Sequence, residues 1–465
     1  MEPRPLRFFA EACGGELRCV DPGSSVVRVC TDSRELQSGD LFVALSGDRF
    51  DGHRFVADAV ARGAVAAVVA QREAARFPGI PLVVVSEPRH ALGRMAGRYR
   101  SDFHIPVVAV AGSNGKTTTK ELLGALLSGC FETLRSPESF NNDIGVPVTL
   151  LGLETRHLAA VVEVGTNHPG ELAPLLRMAC PRIGVLTHIG EEHLEFFGSL
   201  AGVVEEEGWL ADLLPPDGLL VLPGDQPWSD AIVARTRARV IRTGYGPQCD
   251  WRVTRMTTDA DGTTFEVSCP RSDLSGEYRL HLIGRHQVSN AVLALAVAAE
   301  FGLGRDELRR GLSLCAPAKW RMNRWDFEGI QVIEDCYNSN PDSMLAALDS
   351  LRAFPCPGRR VVVMGAMAEL GGHTVRAHER VGRRMAEMGV DRLVGVGEAA
   401  SVAVDAAVDA GMDQAVSVDA VETAAASLRA YLRPGDCLLI KGSRSARLER
   451  LGVLLRERAC LQHAA

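Results

Sequence analysis

The chain has 465 residues, 46% of them apolar and 23% charged, with a formal net charge of -7. That length exceeds one ordinary core and predicts two or three globular domains, and the acidic balance argues against a general nucleic-acid binder. No window nears the ~18 uninterrupted apolar residues of a membrane span. Residues 1–15, broken by Arg4, Arg7 and Glu11, lack a signal-peptide core, so a cytoplasmic protein is expected.

The first hundred residues read as a small mixed α/β unit. Residues 40–45 form a short apolar strand, 55–62 a helix, and 65–69 and 81–85 two further buried strands. A boundary falls near Phe103-His104-Ile105-Pro106. From there to about residue 315 strands alternate with helices, the clearest strands being 161–164, 183–187 and 219–222. Such alternation predicts a mostly parallel sheet flanked by helices. Residues 251–267 alternate around Asp261-Gly262, a hairpin signal, and 290–300 read as an alanine-rich helix. The last third restarts the α/β pattern, with strands at 361–364, 392–396 and 437–440. Units of 1–103, 104–316 and 317–465 are therefore expected.

Twelve cysteines are scattered from Cys13 to Cys460 with no C-x-x-C pair, which predicts free core thiols rather than zinc or disulfides. Lysine is scarce, with only Lys116, Lys120, Lys319 and Lys441. Chemistry that needs a lysine must draw on those four.

The buried strand at 107–110 leads into Ala111-Gly112-Ser113-Asn114-Gly115-Lys116-Thr117-Thr118 and then a helix. Glycines let backbone N–H groups face inward, the helix N-terminus adds partial positive charge, lysine reaches outer phosphates and threonine can ligate magnesium. Val110 stands where the strict G-x-x-x-x-G-K-[ST] pattern has its first glycine, so this is a shorter G-x-x-G-K-T variant. A magnesium site needs further hard oxygen ligands from neighbouring strand ends. Glu163, inside an apolar strand, is the candidate, because a buried carboxylate is costly unless paired or metal-bound. His193 follows the 183–187 strand, where ligands of α/β sheets collect.

In order and spacing these segments resemble the Mur ligase family, nearly end to end. The N-terminal Thr31-Asp32-Ser33-Arg34, Gly39-Asp40-Leu41-Phe42 and Asp51-Gly52-His53 resemble its uridine-nucleotide domain. The phosphate loop, Asn141-Asn142-Asp143-Ile144-Gly145, Glu163, His193-Leu194-Glu195 and Gly284-Arg285-His286-Gln287 resemble its ATPase domain. Asp335-Cys336-Tyr337-Asn338-Ser339-Asn340-Pro341, Gly365-Ala366-Met367-Ala368-Glu369-Leu370-Gly371 and Lys441-Gly442-Ser443-Arg444 resemble its C-terminal domain. The D-x-Y-N-A-N-P-like stretch, with no D-N-P-R selection motif, favours the D-alanyl-D-alanine-adding (MurF) type.

The resemblance implies a three-domain α/β architecture: a UDP-binding domain, a P-loop ATPase domain with a mostly parallel sheet, and a Rossmann-like C-terminal domain. It also implies an ATP- and magnesium-dependent ligase that forms ADP and phosphate. UDP-N-acetylmuramoyl-tripeptide and D-alanyl-D-alanine would be joined through an acyl phosphate by a monomer in the cytoplasm. Gly112 to Thr118 would hold ATP, with Lys116 and Thr117 on the outer phosphates and magnesium. Glu163 and His193 would serve the metals, and Asn142 would lie near the phosphates. Asn290 would contact adenine, Asp335 ribose, and Arg321 the γ-phosphate across a domain closure. Ser33 and Arg34 would hold the uridine diphosphate.

One departure stands out. Where the family usually carries a carbamylated lysine in an A-K-G-E-like segment, this chain has Glu206-Glu207-Gly208-Trp209. Glu207 is expected to supply the metal carboxylate directly, without CO2, while Glu205 and Glu206 read as a solvated helix face. Other readings are a diamino-acid-adding Mur ligase, a folylpolyglutamate synthetase-like relative, a non-catalytic muramyl-nucleotide binder, and a P-loop kinase or GTPase. The last leaves the flanking motifs unexplained.

Overall fold

The computed structural model describes residues 1–47 and 50–462, without the side chains of 457–462. Three sheets follow one another along the chain. The first has five strands in the order Glu16–Arg18, Leu82–Val85, Ala66–Ala70, Asp40–Val43, Arg28–Cys30, parallel except for the first. The middle sheet has nine strands, ordered Thr133–Arg135, Ala159–Glu163, Val107–Ala111, Ile183–Leu186, Leu219–Pro223, Arg239–Gly244, Trp251–Asp259, Gly262–Ser268, Gly276–Leu280. Pairing is parallel as far as Trp251–Asp259 and antiparallel beyond. The last has six strands, parallel except for the hairpin of Asn323–Phe327 with Ile330–Asp335.

Burial explains why these runs are strands. Val107–Ala111 and Ala159–Glu163 are buried at every position, as central parallel strands covered on both faces must be. Lys116–Leu127 and Arg285–Glu300 cover one face of the middle sheet, sharing a cluster of leucine, valine and alanine side chains. Pro88–Arg100 covers the first sheet and also reaches the second unit. There the buried Tyr99 hydroxyl donates to Leu153 O at 2.7 Å and Arg100 Nε to Ala179 O at 3.2 Å.

Some expected boundaries move. The helix read from 290 begins at Arg285, after Gly284 at φ +106°. The helix read over 55–62 is Val56–Ala61, preceded by a tight turn at Gly52–Phe55. The hairpin turns on Ala260 and Asp261 rather than on Asp261-Gly262. Asp259 pairs with Gly262, and its carboxylate accepts from the N–H groups of Asp261 and Gly262 at 2.8 and 3.0 Å. The eleven described cysteines are all free; the side chain of Cys460 lies outside the described residues. Among the described residues no helix is long and apolar enough to cross a membrane.

Candidate active site

A cavity of about 1030 Å³ opens between the C-terminal ends of the middle strands and the last unit. The phosphate loop forms its floor. Gly112 at φ +116° and Gly115 at φ +89° adopt conformations that favour glycine. A Cβ on Gly112 would meet Thr187 Oγ1 at 2.5 Å, and one on Gly115 would meet Asn290 Oδ1 at 2.4 Å. Backbone angle thus disfavours a side chain at both, and at Gly112 the His188 carbonyl, 2.9 Å from such a Cβ, leaves no room for one either. Ser113 N–H donates to His188 O at 2.6 Å, and Gly190 N–H to Ser113 Oγ at 3.0 Å, which ties the loop to the segment after Ile183–Leu186.

Lys116 opens its helix, and its ammonium folds back on the carbonyls of Gly112 and Ser113. Such a lysine can exchange loop carbonyls for phosphate oxygens. Thr117 Oγ1 donates to Glu163 Oε1 at 3.2 Å, and Asn141 Nδ2 reaches the same oxygen at 2.9 Å. The other Glu163 oxygen is buried without a hydrogen-bond partner, 3.9 Å from the Lys120 ammonium. An orphaned carboxylate oxygen beside a threonine hydroxyl suits a hard divalent cation. Among the described residues no three His, Cys, Asp or Glu side chains converge as a preformed metal cage. Thr117, Glu163, His193 and Glu207, read together from the sequence as metal ligands, are therefore not gathered into one. A magnesium that keeps waters and phosphate oxygens needs no such cage.

The last unit supplies the opposite wall. Arg321 stacks over Tyr337 at 4.3 Å and donates to Ser139 Oγ at 3.4 Å, crossing to the middle unit. Asp335 accepts from the buried Lys441 ammonium at 2.6 Å and from Met322 N–H at 3.2 Å. Asn114 and Asn340 exchange amide hydrogen bonds at 3.0 and 3.3 Å. His193 lines the cavity, its Nδ1 2.5 Å from a Glu369 carboxylate oxygen that is not aligned as a hydrogen bond. His193 holds the Glu369 carboxyl below the usual carboxylate range. His286, also on the cavity, is pushed down to about 4 chiefly by burial, which keeps it neutral.

The structure brings Ser113 to Thr118, Asn142, Glu163, His193, Asn290, Arg321 and Asp335 to this one cavity. Asn142 itself faces its own chain, its carbonyl capping the N–H groups of Ile144 and Gly145 at 3.2 and 2.9 Å. Asn141, its neighbour, makes the contact with Glu163. Ser33 and Arg34 do not line the cavity. They lie in the first unit, Arg34 paired with Asp32 at 2.5 Å and Ser33 O accepting from Arg62 at 2.5 Å.

Glu207 does not line the cavity either. It is fully buried behind the loop, both carboxylate oxygens without a hydrogen-bond partner. Burial pushes its carboxyl up to about 8, partly opposed by the Lys116 ammonium and reinforced by Glu192. Glu206 corrects the expectation of a solvated face: it is buried and accepts from Gly170 and Leu172 N–H at 2.9 and 2.8 Å, holding the start of Leu172–Ala179. Glu205 is exposed and pairs with Arg235 at 3.0 Å. Sequence reasoning also passed over Glu192, buried on the cavity 3.9 Å from Lys116 Nζ; its signal was the side chain adjacent to His193.

Three family models match in order: "Mur ligase family, catalytic domain" over 25–100, "Mur ligase middle domain" over 110–298 and "Mur ligase, glutamate ligase domain" over 320–444. The UDP-N-acetylmuramoyl-tripeptide–D-alanyl-D-alanine ligase of Escherichia coli (strain K12) is 34% identical, covering 97% of this chain and 98% of its own. A MurF crystal structure from Acinetobacter baumannii superposes with a TM-score of 0.90 at 32% identity, over 98% of this chain and 99% of its own. MurF from Thermotoga maritima in complex with ADP gives 0.83 at 27% identity, over 94% and 98%. With the models lying in register on the three sheets, and a relative matching from end to end, the chain belongs to the Mur ligase family.

Proposed function

We propose that the chain is an ATP-dependent ligase that adds D-alanyl-D-alanine to UDP-N-acetylmuramoyl-tripeptide during peptidoglycan precursor synthesis. The observation that carries this reading is the single cavity walled by the phosphate loop on one side and by Arg321, Asp335 and Lys441 on the other. ATP held there has its phosphates on the N-terminus of Lys116–Leu127, where backbone N–H groups and Lys116 offset their charge. The tripeptide carboxylate attacks the γ-phosphorus and releases ADP. The D-alanyl-D-alanine amine then attacks the acyl phosphate carbonyl and expels inorganic phosphate, losing a proton. Phosphoryl transfer of this kind needs mainly positioning and neutralised charge.

In this reading Lys116 and Arg321 approach the transferred group from opposite walls, and Thr117 with Glu163 would hold magnesium. Bound magnesium would neutralise phosphate charge and orient the outer phosphates. Asn290, packed on Gly115, borders the adenine side, and Asp335, fixed by Lys441, borders the ribose. Ser33 and Arg34 belong to a separate uridine-nucleotide surface in the first unit. Units of 1–103, 104–316 and 317–465, a monomer, and a cytoplasmic location where nucleotide substrates are made are part of the proposal. The three separate sheets and the matched family segments support the division.

Phosphate release with ATP, magnesium and UDP-muramyl tripeptide tests it, comparing D-alanyl-D-alanine with diaminopimelate or lysine on the dipeptide precursor. Release with D-alanyl-D-alanine is expected. Release only with the diamino acids would overturn the assignment.

A further inference from the structure

Glu369 stands where the last unit touches the segment that carries His193. It lies in the loop after Arg360–Met364, and its neighbours are anchored. Met367 and Leu370 are buried, Met367 N–H donates to His378 Nε2 at 3.1 Å, and Ala368 N–H to Ser443 Oγ at 2.9 Å. Between these fixed points the Glu369 side chain turns outward to the middle unit. Its own carbonyl accepts from Glu195 N–H at 3.2 Å, so backbone and side chain both grip the His193 segment. His193 and Glu369 are non-glycine residues at φ +46° and +61°. Left-handed residues of this kind persist where the surroundings enforce them, and they concentrate at functional positions.

The contact has a chemical direction. The carboxylate meets Nδ1, while Nε2 is 3.9 Å from Glu192, on the cavity wall. A carboxylate at Nδ1 favours the tautomer with its proton there, leaving the Nε2 lone pair free; partners of this kind set ring orientation and basicity. The contact is not aligned as a hydrogen bond, but the carboxylate charge 2.5 Å from Nδ1 favours the proton on that nitrogen in the absence of substrate as well. A second set of contacts clasps the same segment: Arg380 pairs with Glu191 at 2.5 Å, and Glu191 N–H donates to Asp342 at 2.7 Å.

We propose that Glu369 is a positioning residue that holds His193 with its proton on Nδ1 and Nε2 open to the cavity, so that docking of the last unit completes the site. The catalytic part of this inference rests on the ligase reading; the tautomer part does not. The test uses the full chain labelled with 15N-histidine, without substrates, at pH 8, with His193 assigned from the His193→Gln spectrum. Wild type should show the Nδ1-protonated ring. Glu369→Ala should show a mixture of tautomers, and Glu369→Gln, whose carbonyl still accepts, should keep the wild-type pattern. In turnover, Glu369→Ala should lower kcat about 10- to 100-fold and raise the magnesium concentration for half-maximal rate. KM for both nucleotide substrates should stay within about 2-fold, since the residue touches neither, and Glu369→Gln should recover most of the loss. Glu369→Asp, with its carboxylate withdrawn, repeats the spectral test if the alanine variant folds poorly. An unchanged His193 tautomer in Glu369→Ala or Glu369→Asp overturns the proposal, as does Glu369→Ala with wild-type kcat and magnesium dependence. The spectrum judges the inference even if the chain turns over none of the substrates.

Discussion

Replacing Glu207 by glutamine should make the protein more stable relative to wild type as pH rises. The wild-type carboxyl is fully buried with no well-formed hydrogen bond, and burial, partly opposed by the Lys116 ammonium and the nearby Gly112 N–H, moves it from 4.5 to about 8. In the unfolded chain it ionises near 4.5, so between those two values the native state holds one more proton than the unfolded state. Native stability therefore falls with rising pH across that window and is flat on either side of it. The gap of about 3.5 units (8 less 4.5) corresponds to roughly 5 kcal/mol at 1.36 kcal/mol per unit, an upper bound that relaxation around the site reduces. Glutamine does not titrate. Its buried amide carries a fixed cost of about 1–3 kcal/mol for unmet hydrogen bonds, equal at every pH. The signature is thus the slope of the difference between the two proteins, since every other group titrates in both. Calorimetry of the ligand-free chains at pH 5, 7 and 9 should show the Glu207→Gln midpoint gaining several degrees on wild type, at about 2–4 °C per kcal/mol. A midpoint difference constant from pH 5 to 9 would refute the reasoning.

Two more expectations bear on the site. Because the chain has no lysine between Lys120 and Lys319 to carbamylate at that segment, its turnover rate in CO2-free buffer should equal that with added bicarbonate; loss of rate restored by bicarbonate would show that a carbamylated lysine elsewhere is required. Asn340→Ala removes both the amide exchange with Asn114 and the cap on Ser343 N–H at 2.8 Å. It should cost about 1–2 kcal/mol in denaturant unfolding and raise KM for ATP, while a KM equal to wild type would separate Asn114 from nucleotide binding.

What the sequence made legible was local. The phosphate loop could be read because its glycines, lysine and threonine act within a few residues of each other, and the positive φ angles at Gly112 and Gly115 favour glycine whatever lies around them. The three sheets were legible because buried parallel strands are short apolar runs. Long-range pairing was not. On helix Leu200–Glu207 the buried positions are Val203, Glu206 and Glu207, the i, i+3, i+4 spacing of an inward face. Residue type argued that Glu205 and Glu206 face water. Glu206 is instead held by the N–H groups of Gly170 and Leu172, more than thirty residues away in sequence. No periodicity marks such a partner. The same holds for Glu369 on His193, and for Lys120, whose buried ammonium donates to Ser136 O at 2.9 Å near Glu163.

These hidden pairings converge on the segment that follows Ile183–Leu186. One side of it meets the phosphate loop, through Thr187 against Gly112, His188 O on Ser113 N–H and Glu192 near Lys116. The other side meets the last unit, through Glu191 with Asp342 and Arg380, and His193 with Glu369. An acyl phosphate is prone to hydrolysis, so chemistry that forms one benefits from a site assembled only when its walls are together. A single short segment bonded to both walls supplies that dependence. The contacts that meet its histidine and those that hold the phosphate loop are separated by only a few residues, so the last unit and the phosphate loop share one short bridge.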